Sequence, residues 1–207
     1  ADVSAEGISK ITKTDIDAAR AMGHAIKLLA VAERSDDGGI GVRVNPAMVP
    51  RTHPLASVRE SFNAVFVEAE AAGELMFYGR GAGGVPTSSA VLGDVVALAR
   101  NKVLGARAPG ESVYAHLAIS PAGSARSRHY ISIDVLDRAG VLAKVASTFA
   151  EHQVSIETLR QDGRGDDATL IIVTHMASAA DVAQTVEALR ALEAVRDVAT
   201  VMQVIGE

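Results

Sequence analysis

The stretch Ile131-Ser132-Ile133-Asp134-Val135-Leu136-Asp137-Arg138-Ala139-Gly140-Val141-Leu142 passes from a predicted strand through a turn into a predicted helix. In its first five residues isoleucine, isoleucine and valine alternate with polar residues, as in a strand with one buried face. Asp137–Gly140 contains residue types that turn a chain and cap a helix. Apolar residues then recur at helical spacing as far as Phe149, so the stretch predicts a strand followed by an amphipathic helix.

Similar patterns continue to the end of the chain. Two further strands, a helix and a last strand are predicted at Val154–Arg160, at Ala168–His175, from Ser178 onward and at Val198–Val204. Residues 163–167 separate the two middle strands as a hairpin loop. The resulting order β-α-β-β-α-β is that of the ferredoxin-like split unit, which is the fold predicted for residues 129–207.

The beginning of the chain predicts a helix followed by a strand hairpin. Thr14-Asp15-Ile16-Asp17 has capping-box spacing and begins a short helix that Gly23 ends. The nearly continuous apolar run Ala25–Arg34 predicts a buried strand, and Ile40–Asn45 alternates as its hairpin partner. Prolines at positions 46, 50 and 54 are expected to forbid regular structure across the next section.

Two strands at Asn63–Glu70 and Glu74–Tyr78 lead into a glycine-rich loop, and a helix is predicted from Pro86 to about Val103. The chain from Gly105 to Arg128 is rich in glycine, alanine, proline and serine. This composition predicts a linker, with a possible short strand at Tyr114–Ile119. The predicted boundaries are therefore residues 1–104, a linker at 105–128, and residues 129–207.

Composition excludes several classes of protein. The 207 residues include 48% hydrophobic and 22% charged residues, as expected of a folded globular chain. The net charge of -5, only 3% aromatic residues and the lack of tryptophan argue against a nucleic-acid partner. There is no cysteine to form a disulfide, and no apolar run is long enough to span a bilayer, so we expect a cytoplasmic protein without a membrane partner.

The loop Gly79-Arg80-Gly81-Ala82-Gly83-Gly84 matches the dinucleotide-binding spacing G-x-G-x-x-G. That motif belongs to a β-α-β unit, with an acidic residue about twenty positions on that binds the ribose. Here the helix leads into the predicted linker instead, so the loop is not a Rossmann fingerprint. Its spacing alone leaves two interpretations: a tightly packed connection between strand and helix, or a backbone surface open to a nucleotide.

Four segments resemble the homoserine dehydrogenase family in the right order along the chain. The glycine loop and the residues after it, through Val96, resemble the motif that closes that family's catalytic domain. The family's segment before that motif is similar to His53-Pro54-Leu55-Ala56-Ser57-Val58 followed by Asn63-Ala64-Val65. The family's preceding part resembles, in the same order, Glu6-Gly7-Ile8, Asp15-Ile16 and Lys27-Leu28-Leu29-Ala30. The tail with Asp137-Arg138-Ala139-Gly140-Val141-Leu142 resembles an ACT domain. The fold class implied is α+β, a partial catalytic-domain sheet with helices followed by a ferredoxin-like ACT domain.

The resemblance implies interconversion of L-homoserine and L-aspartate-4-semialdehyde in threonine, methionine and isoleucine biosynthesis, with NADP or NAD as cofactor. It assigns Gly83 as the leading cofactor contact, Gly81 and Gly84 as supports, and Thr87 as the residue that starts the helix. The family's Rossmann domain and catalytic lysine segment are expected upstream of Ala1, so no catalytic residue is assigned. Lys27 is not promoted to that role, because it lies in the pattern of a strand. We therefore expect this chain alone to be inactive.

For the C-terminal domain, the resemblance implies an amino-acid effector, L-threonine, that acts by feedback inhibition. The implied contacts lie in one loop and the first helical turn after it: Asp137, Ala139, Gly140, Val141 and Leu142. Ala139 stands where the motif commonly has proline. Asp137 could instead serve only as a helix cap, and Gly140 only to allow close packing. Exposed edge strands also predict a homo-oligomer.

Three interpretations of function remain from the sequence. The first is the rear of a homoserine dehydrogenase with its regulatory domain; the others are a stand-alone amino-acid sensor and a purely structural oligomerisation module. A metal site is not predicted, because the six histidines lack ligand spacing. The acidic pairs at positions 36–37 and 166–167 are expected to be solvated turns.

Overall fold

The computed structural model describes residues 3–35, 38–106, 114–163 and 168–206. These residues form two compact units, one from the described parts of residues 1–51 and 117–207 and the other from residues 52–116. The predicted acidic turn at positions 36–37 and most of the predicted hairpin loop, residues 164–167, lie outside the described residues. The boundaries predicted at residues 104 and 128 stay a prediction.

The N-terminal segment of the first unit contains three strands and a helix: β1 (Ser4–Ala5), α1 (Lys13–Ala21), β2 (His24–Arg34) and β3 (Ile40–Pro50). β2 and β3 form the predicted antiparallel hairpin. The capping box of α1 is formed by Thr12 and Asp15, not by Thr14 and Asp17 as predicted. Met22 is the C-cap, and Gly23 follows it with φ of +73°, as predicted for the residue after the helix.

Two expectations for this hairpin are wrong. β2 is an edge strand that pairs with β3 alone among the described strands, so it is half-exposed rather than buried. β3 continues through Pro46 to Pro50, although prolines were expected to interrupt it. Pro46 is tolerated because it lies between the residues of β3 that pair with β1 and those that pair with a later strand, β10 (Val195–Val204).

The second unit contains a short 3-10 helix at Pro54–Ser57, the antiparallel strands β4 (Phe62–Ala69) and β5 (Gly73–Arg80), and the helix α2 (Gly84–Leu104). The strand pair confirms the prediction. The helix begins two residues before Pro86, and Gly105 ends it in the left-handed conformation. No residue of α2 is buried within the described chain, although its sequence is rich in valine and leucine.

The rest of the first unit is the ferredoxin-like domain. A 3-10 turn at Ala122–Ser124 precedes β6 (Arg126–Val135), α3 (Val141–Glu151), β7 (Ile156–Asp162), β8 (Ala168–Thr174), β9 (Ala177–Ser178), α4 (Ala179–Arg190) and β10. The strands are ordered β10-β6-β8-β7, and these neighbours are all antiparallel. This confirms the β-α-β-β-α-β prediction. The strand expected at Tyr114–Ile119 is absent from its described residues, where only Ile119 forms a bridge, to Ile40.

Both faces of this sheet are covered. On one face α3 and α4 pack their apolar residues, including Val145, Phe149 and Leu189, against Ile131 and Ile133. On the other face Tyr130, together with Ile171, Val173, Met202 and Val204, packs against Met48 of β3 and Ala18 and Ala19 of α1. The N-terminal segment therefore supplies the second half of the ferredoxin-like domain's core.

Two further contacts join the N-terminal segment to the domain. β10 pairs with β3 in parallel, at Gln203 with Ala47 and at Val204 with Met48, so one eight-stranded sheet includes both. Asp15, which is 1% exposed, accepts hydrogen bonds from the Tyr130 hydroxyl at 3.3 Å and the Thr200 hydroxyl at 2.9 Å. Burial raises the pKa of Tyr130, and the Asp15 carboxylate adds to the rise, so the hydroxyl keeps its proton and donates.

We predict that Asp15→Ala destabilises the first unit by about 2–4 kcal/mol, because it removes a helix cap and leaves two buried hydroxyls without their acceptor. Urea unfolding followed by circular dichroism measures the change. Asp17→Ala is the matched control, since this aspartate is on the same helix but makes only surface ion pairs, with Lys13 and Arg20. Equal losses in the two variants would contradict a special role for Asp15.

Candidate functional site

The glycine loop connects β5 to α2, and its residues are exposed within their own unit. Gly83 is the N-cap of α2 and has φ of +129°, a conformation that side-chain-bearing residues rarely adopt. Its carbonyl accepts the Thr87 N–H at 3.1 Å. The helix therefore begins three residues before Thr87, so Thr87 is in the first turn rather than at the helix start.

The neighbouring glycines differ in their surroundings. A Cβ atom at Gly81 would lie 1.5 Å from Nδ2 of Asn63, so the Asn63 side chain occupies that space. A Cβ atom at Gly79 or Gly84 would meet nothing within 4 Å. Close packing therefore accounts for Gly81, backbone conformation accounts for Gly83, and open space lies beside Gly84.

The end of β5 adds polar and aromatic groups beside this loop. The Arg80 guanidinium lies 4.7 Å from the centre of the Phe62 ring and donates to the Ser61 hydroxyl at 3.2 Å. Phe62 also stacks on Tyr78, with ring centres 4.8 Å apart. The first turn of α2 carries no acidic residue and no side-chain cap. Its backbone amides and a positive helix end can therefore receive an anionic group.

The second predicted site follows β6. Gly140, not Asp137, is the N-cap residue of α3, and glycine has no side chain to make a capping hydrogen bond. Asp137, Ala139 and Gly140 are exposed, and Leu142 is 45% exposed.

Val141 behaves differently from the rest of this loop. Its side chain is buried in the core, and its N–H donates to the Arg138 carbonyl at 3.2 Å. The structure thus brings four of the five predicted residues to one exposed edge and places the Val141 side chain inside. A ligand at this edge can meet the Asp137 carboxylate and the later amides of the first turn of α3.

A third group of polar side chains was not predicted as a site. Arg43, which is 9% exposed, donates from Nε to Oε1 of Gln203 at 2.8 Å and from Nη1 to the Glu33 carboxylate. His129 is 5% exposed, and burial lowers the pKa of its imidazole to about 4, with a smaller contribution from the positive charge of Arg43. The ring is therefore neutral at neutral pH. Alternation in β3 indicated only outward-facing polar residues, so the sequence carried no signal of this burial.

The described residues contain neither a cluster of metal-binding side chains nor a membrane-spanning helix. Within residues 3–35, 38–106, 114–163 and 168–206, no three histidine, aspartate or glutamate side chains lie close enough together to hold a metal ion. None of the described helices is long and apolar enough to cross a membrane.

Comparison with known proteins identifies relatives of the whole chain. Residues 1–96 match the homoserine dehydrogenase family, and residues 129–194 match the ACT domain. A homoserine dehydrogenase from Corynebacterium glutamicum is 55% identical over 206 residues, which cover 98% of this chain and 46% of that protein. One from Bacillus subtilis is 39% identical over 212 residues, which cover 99% of this chain and 48% of that protein.

A solved structure has the same fold along the chain. The crystal structure of a homoserine dehydrogenase from Thiobacillus denitrificans superposes with a TM-score of 0.89 at 31% identity, covering 99% of this chain and 48% of that one. The chain spans about half the length of the curated relatives it matches. The two family matches occur in this order, and the relatives matched along nearly all of the sequence are homoserine dehydrogenases. The chain therefore belongs to the homoserine dehydrogenase family, with an ACT domain after the dehydrogenase segment.

Proposed function

We propose that the protein to which this chain belongs interconverts L-homoserine and L-aspartate-4-semialdehyde with a nicotinamide cofactor. The observation that carries this proposal is the 55% identity to a homoserine dehydrogenase over 98% of the chain. At that similarity the glycine loop, the strands before it and the ACT domain all align with an enzyme of this name. NADP or NAD supplies the hydride chemistry when bound.

In this proposal the glycine loop contacts the cofactor from outside the domain that holds most of it. Three features support the assignment of Gly83, Gly84 and Thr87: the loop is exposed, Gly83 has a positive φ, and a helix N-terminus follows. Gly81 then has a supporting role, because a residue without a Cβ leaves space for the Asn63 side chain beside the loop. Backbone amides at this position can donate to cofactor oxygens without a competing acidic side chain.

The ACT domain is proposed to regulate the enzyme by binding an amino acid, L-threonine, at the exposed edge formed by Asp137, Ala139, Gly140 and Leu142. The Asp137 carboxylate suits the ammonium group, and the first turn of α3 suits the carboxylate. We also propose a cytoplasmic homo-oligomer that pairs through the ACT domain. β7 supports this, since β8 is its one partner among the described strands and its other edge is open to a second copy.

We predict that the purified 207-residue chain does not reduce L-aspartate-4-semialdehyde with NADPH or NADH, because no residue in it is assigned the chemical step. Absorbance of the reduced cofactor at saturating substrate measures this. A full-length homoserine dehydrogenase assayed in parallel is the positive control. Turnover by the chain itself would place catalytic groups within it and contradict the assignment.

In a full-length enzyme that carries this segment, we predict that Gly83→Val raises the KM for the cofactor about tenfold, the equivalent of about 1.4 kcal/mol. The β-branched side chain is strained at this φ and protrudes beside the proposed contact. The KM for homoserine should change little.

Gly79→Val is the matched control for that experiment. It adds the same side chain four residues before Gly83, within β5, where a Cβ meets nothing within 4 Å. A cofactor KM that is unchanged in Gly83→Val, or raised equally in both variants, would leave the loop with a packing role alone.

We predict that L-threonine raises the melting temperature of the chain, because a ligand of the folded state stabilises it by RT ln(1 + [L]/Kd), about 2.7 kcal/mol at a hundredfold excess over Kd. Asp137→Asn should reduce this shift. Glu151→Gln, at the far end of α3, makes the same charge change and should preserve it. A shift that is absent, or equal in all three proteins, would remove Asp137 from the proposed site.

A further inference from the structure

A cavity of about 160 Å³ lies where β1, β3, β6 and β10 meet the beginning of α4. Its lining includes Arg43, Asn45, His129 and Gln203 from the strands and Ala179 from the helix. All of these residues belong to the first compact unit. The cavity is distinct from the proposed threonine edge, which follows the other end of β6, about 20 Å farther along the strand from His129.

Two buried polar atoms of lining residues have no hydrogen-bond partner among the described residues. They are Oδ1 of Asn45 and Nδ1 of His129. The His129 ring touches the Ser127 hydroxyl through Nε2 at 3.3 Å, so Nδ1 is the nitrogen that lacks a partner. A buried polar group without a partner destabilises the folded chain, so a bound group that pairs with both atoms is favoured.

Hydrogen-bond donors are present in the lining of the cavity. The Arg43 guanidinium is held there by Gln203 and Glu33, and the buried His129 ring lies on β6 directly opposite Gln203 on β10. Ala179, the first residue of α4, also lines the cavity, but its N–H donates to the Ala125 carbonyl and the first turn of the helix carries Asp181. The donors available to a ligand are therefore those of Arg43 and His129. These groups suit a carboxylate.

Hydrogen-bond acceptors are present in the lining as well. Ser4 pairs with Arg43 and Ala5 with Val44, and this register continues to bring Glu6 alongside Asn45. Glu6 is among the lining residues and is partly exposed, and its carboxylate accepts from Nζ of Lys10 at 3.1 Å. Together with Oδ1 of Asn45 it suits an ammonium group.

We propose that this cavity binds a small zwitterion, a free α-amino acid with a short side chain, as a second amino-acid site of the protein. The carboxylate faces Arg43 and His129, and the ammonium faces Glu6 and Asn45. The volume corresponds to about five water molecules, which suits an amino acid of this size and excludes a nucleotide. A group with both charges satisfies both unpaired atoms at once, whereas a simple anion satisfies only the donor side.

Binding here connects segments that are far apart in sequence. The proposed ligand contacts β1 and β3 from the N-terminal segment, and β6, β10 and α4 from the ACT domain. It therefore stabilises the junction between them without touching the Asp137–Leu142 edge. This goes beyond the proposed function, because neither the substrate nor the threonine edge is involved.

The test follows the His129 ring by NMR in the 207-residue chain labelled at histidine, with His129→Gln to assign its signals. The probe is L-alanine, and propionate and ethylamine each retain one of its two charges. We expect a saturable shift of the His129 signals with L-alanine, and binding at least about tenfold weaker with either analogue. Absence of a shift means that the cavity holds only water and overturns the proposal, as does propionate binding as tightly as L-alanine.

Two variants locate the site. Asn45→Leu keeps the size of the side chain but removes the acceptor, and Glu6→Gln removes a charge at an exposed position where folding is not at risk. Each should weaken the binding of L-alanine at least about tenfold, while the remote Glu151→Gln should leave that binding unchanged. Asp137→Asn distinguishes this site from the threonine edge: if it alone abolishes the His129 shift, the ligand binds at that edge and the cavity proposal is overturned.

Discussion

The buried carboxylate of Asp15 is the constraint on which the first unit depends. It caps α1 through Thr12 and at the same time accepts from Tyr130 and Thr200, which belong to the first and last strands of the ACT domain. A charge that is 1% exposed is tolerated only when its acceptor capacity is filled. The position of α1 on the sheet is therefore fixed by the hydrogen bonds of Asp15 as well as by apolar packing.

The N-terminal segment and the ACT domain share one hydrophobic core. A ferredoxin-like sheet covered by helices on one face leaves its other face uncovered, and here that face carries the buried side chains of Tyr130, Ile171 and Met202. The N-terminal segment covers it with α1 and extends the sheet with β3. The ACT domain therefore does not complete its core with its own residues. A ligand bound in the domain can affect the dehydrogenase segment through shared strands.

Local patterns were sufficient to predict much of the fold. The ferredoxin-like order, the Gly23 helix end and the β4–β5 pair each depend on residues close together in sequence, so periodicity and turn residues reveal them. β3 continues through Pro46 because the residues on either side of this proline pair with β1 and β10. A prediction from the prolines alone does not include these distant partners. The cavity at Arg43 and Asn45 depends on coverage by α4, and the residues of the glycine and threonine sites were available only through resemblance.

The parallel pairing of β3 with β10 also has a consequence for synthesis. β3 ends at Pro50, and its partner residues Gln203 and Val204 are made about 150 residues later. At a synthesis rate of roughly 5–20 residues per second, this edge of β3 waits on the order of ten seconds or more on the ribosome. During that interval β2 covers only the opposite edge of β3. Pro46 and Pro50 flank the two residues that wait for β10, and proline offers no N–H to an incoming strand. The residues that look like interruptions in the sequence thus guard the nascent chain.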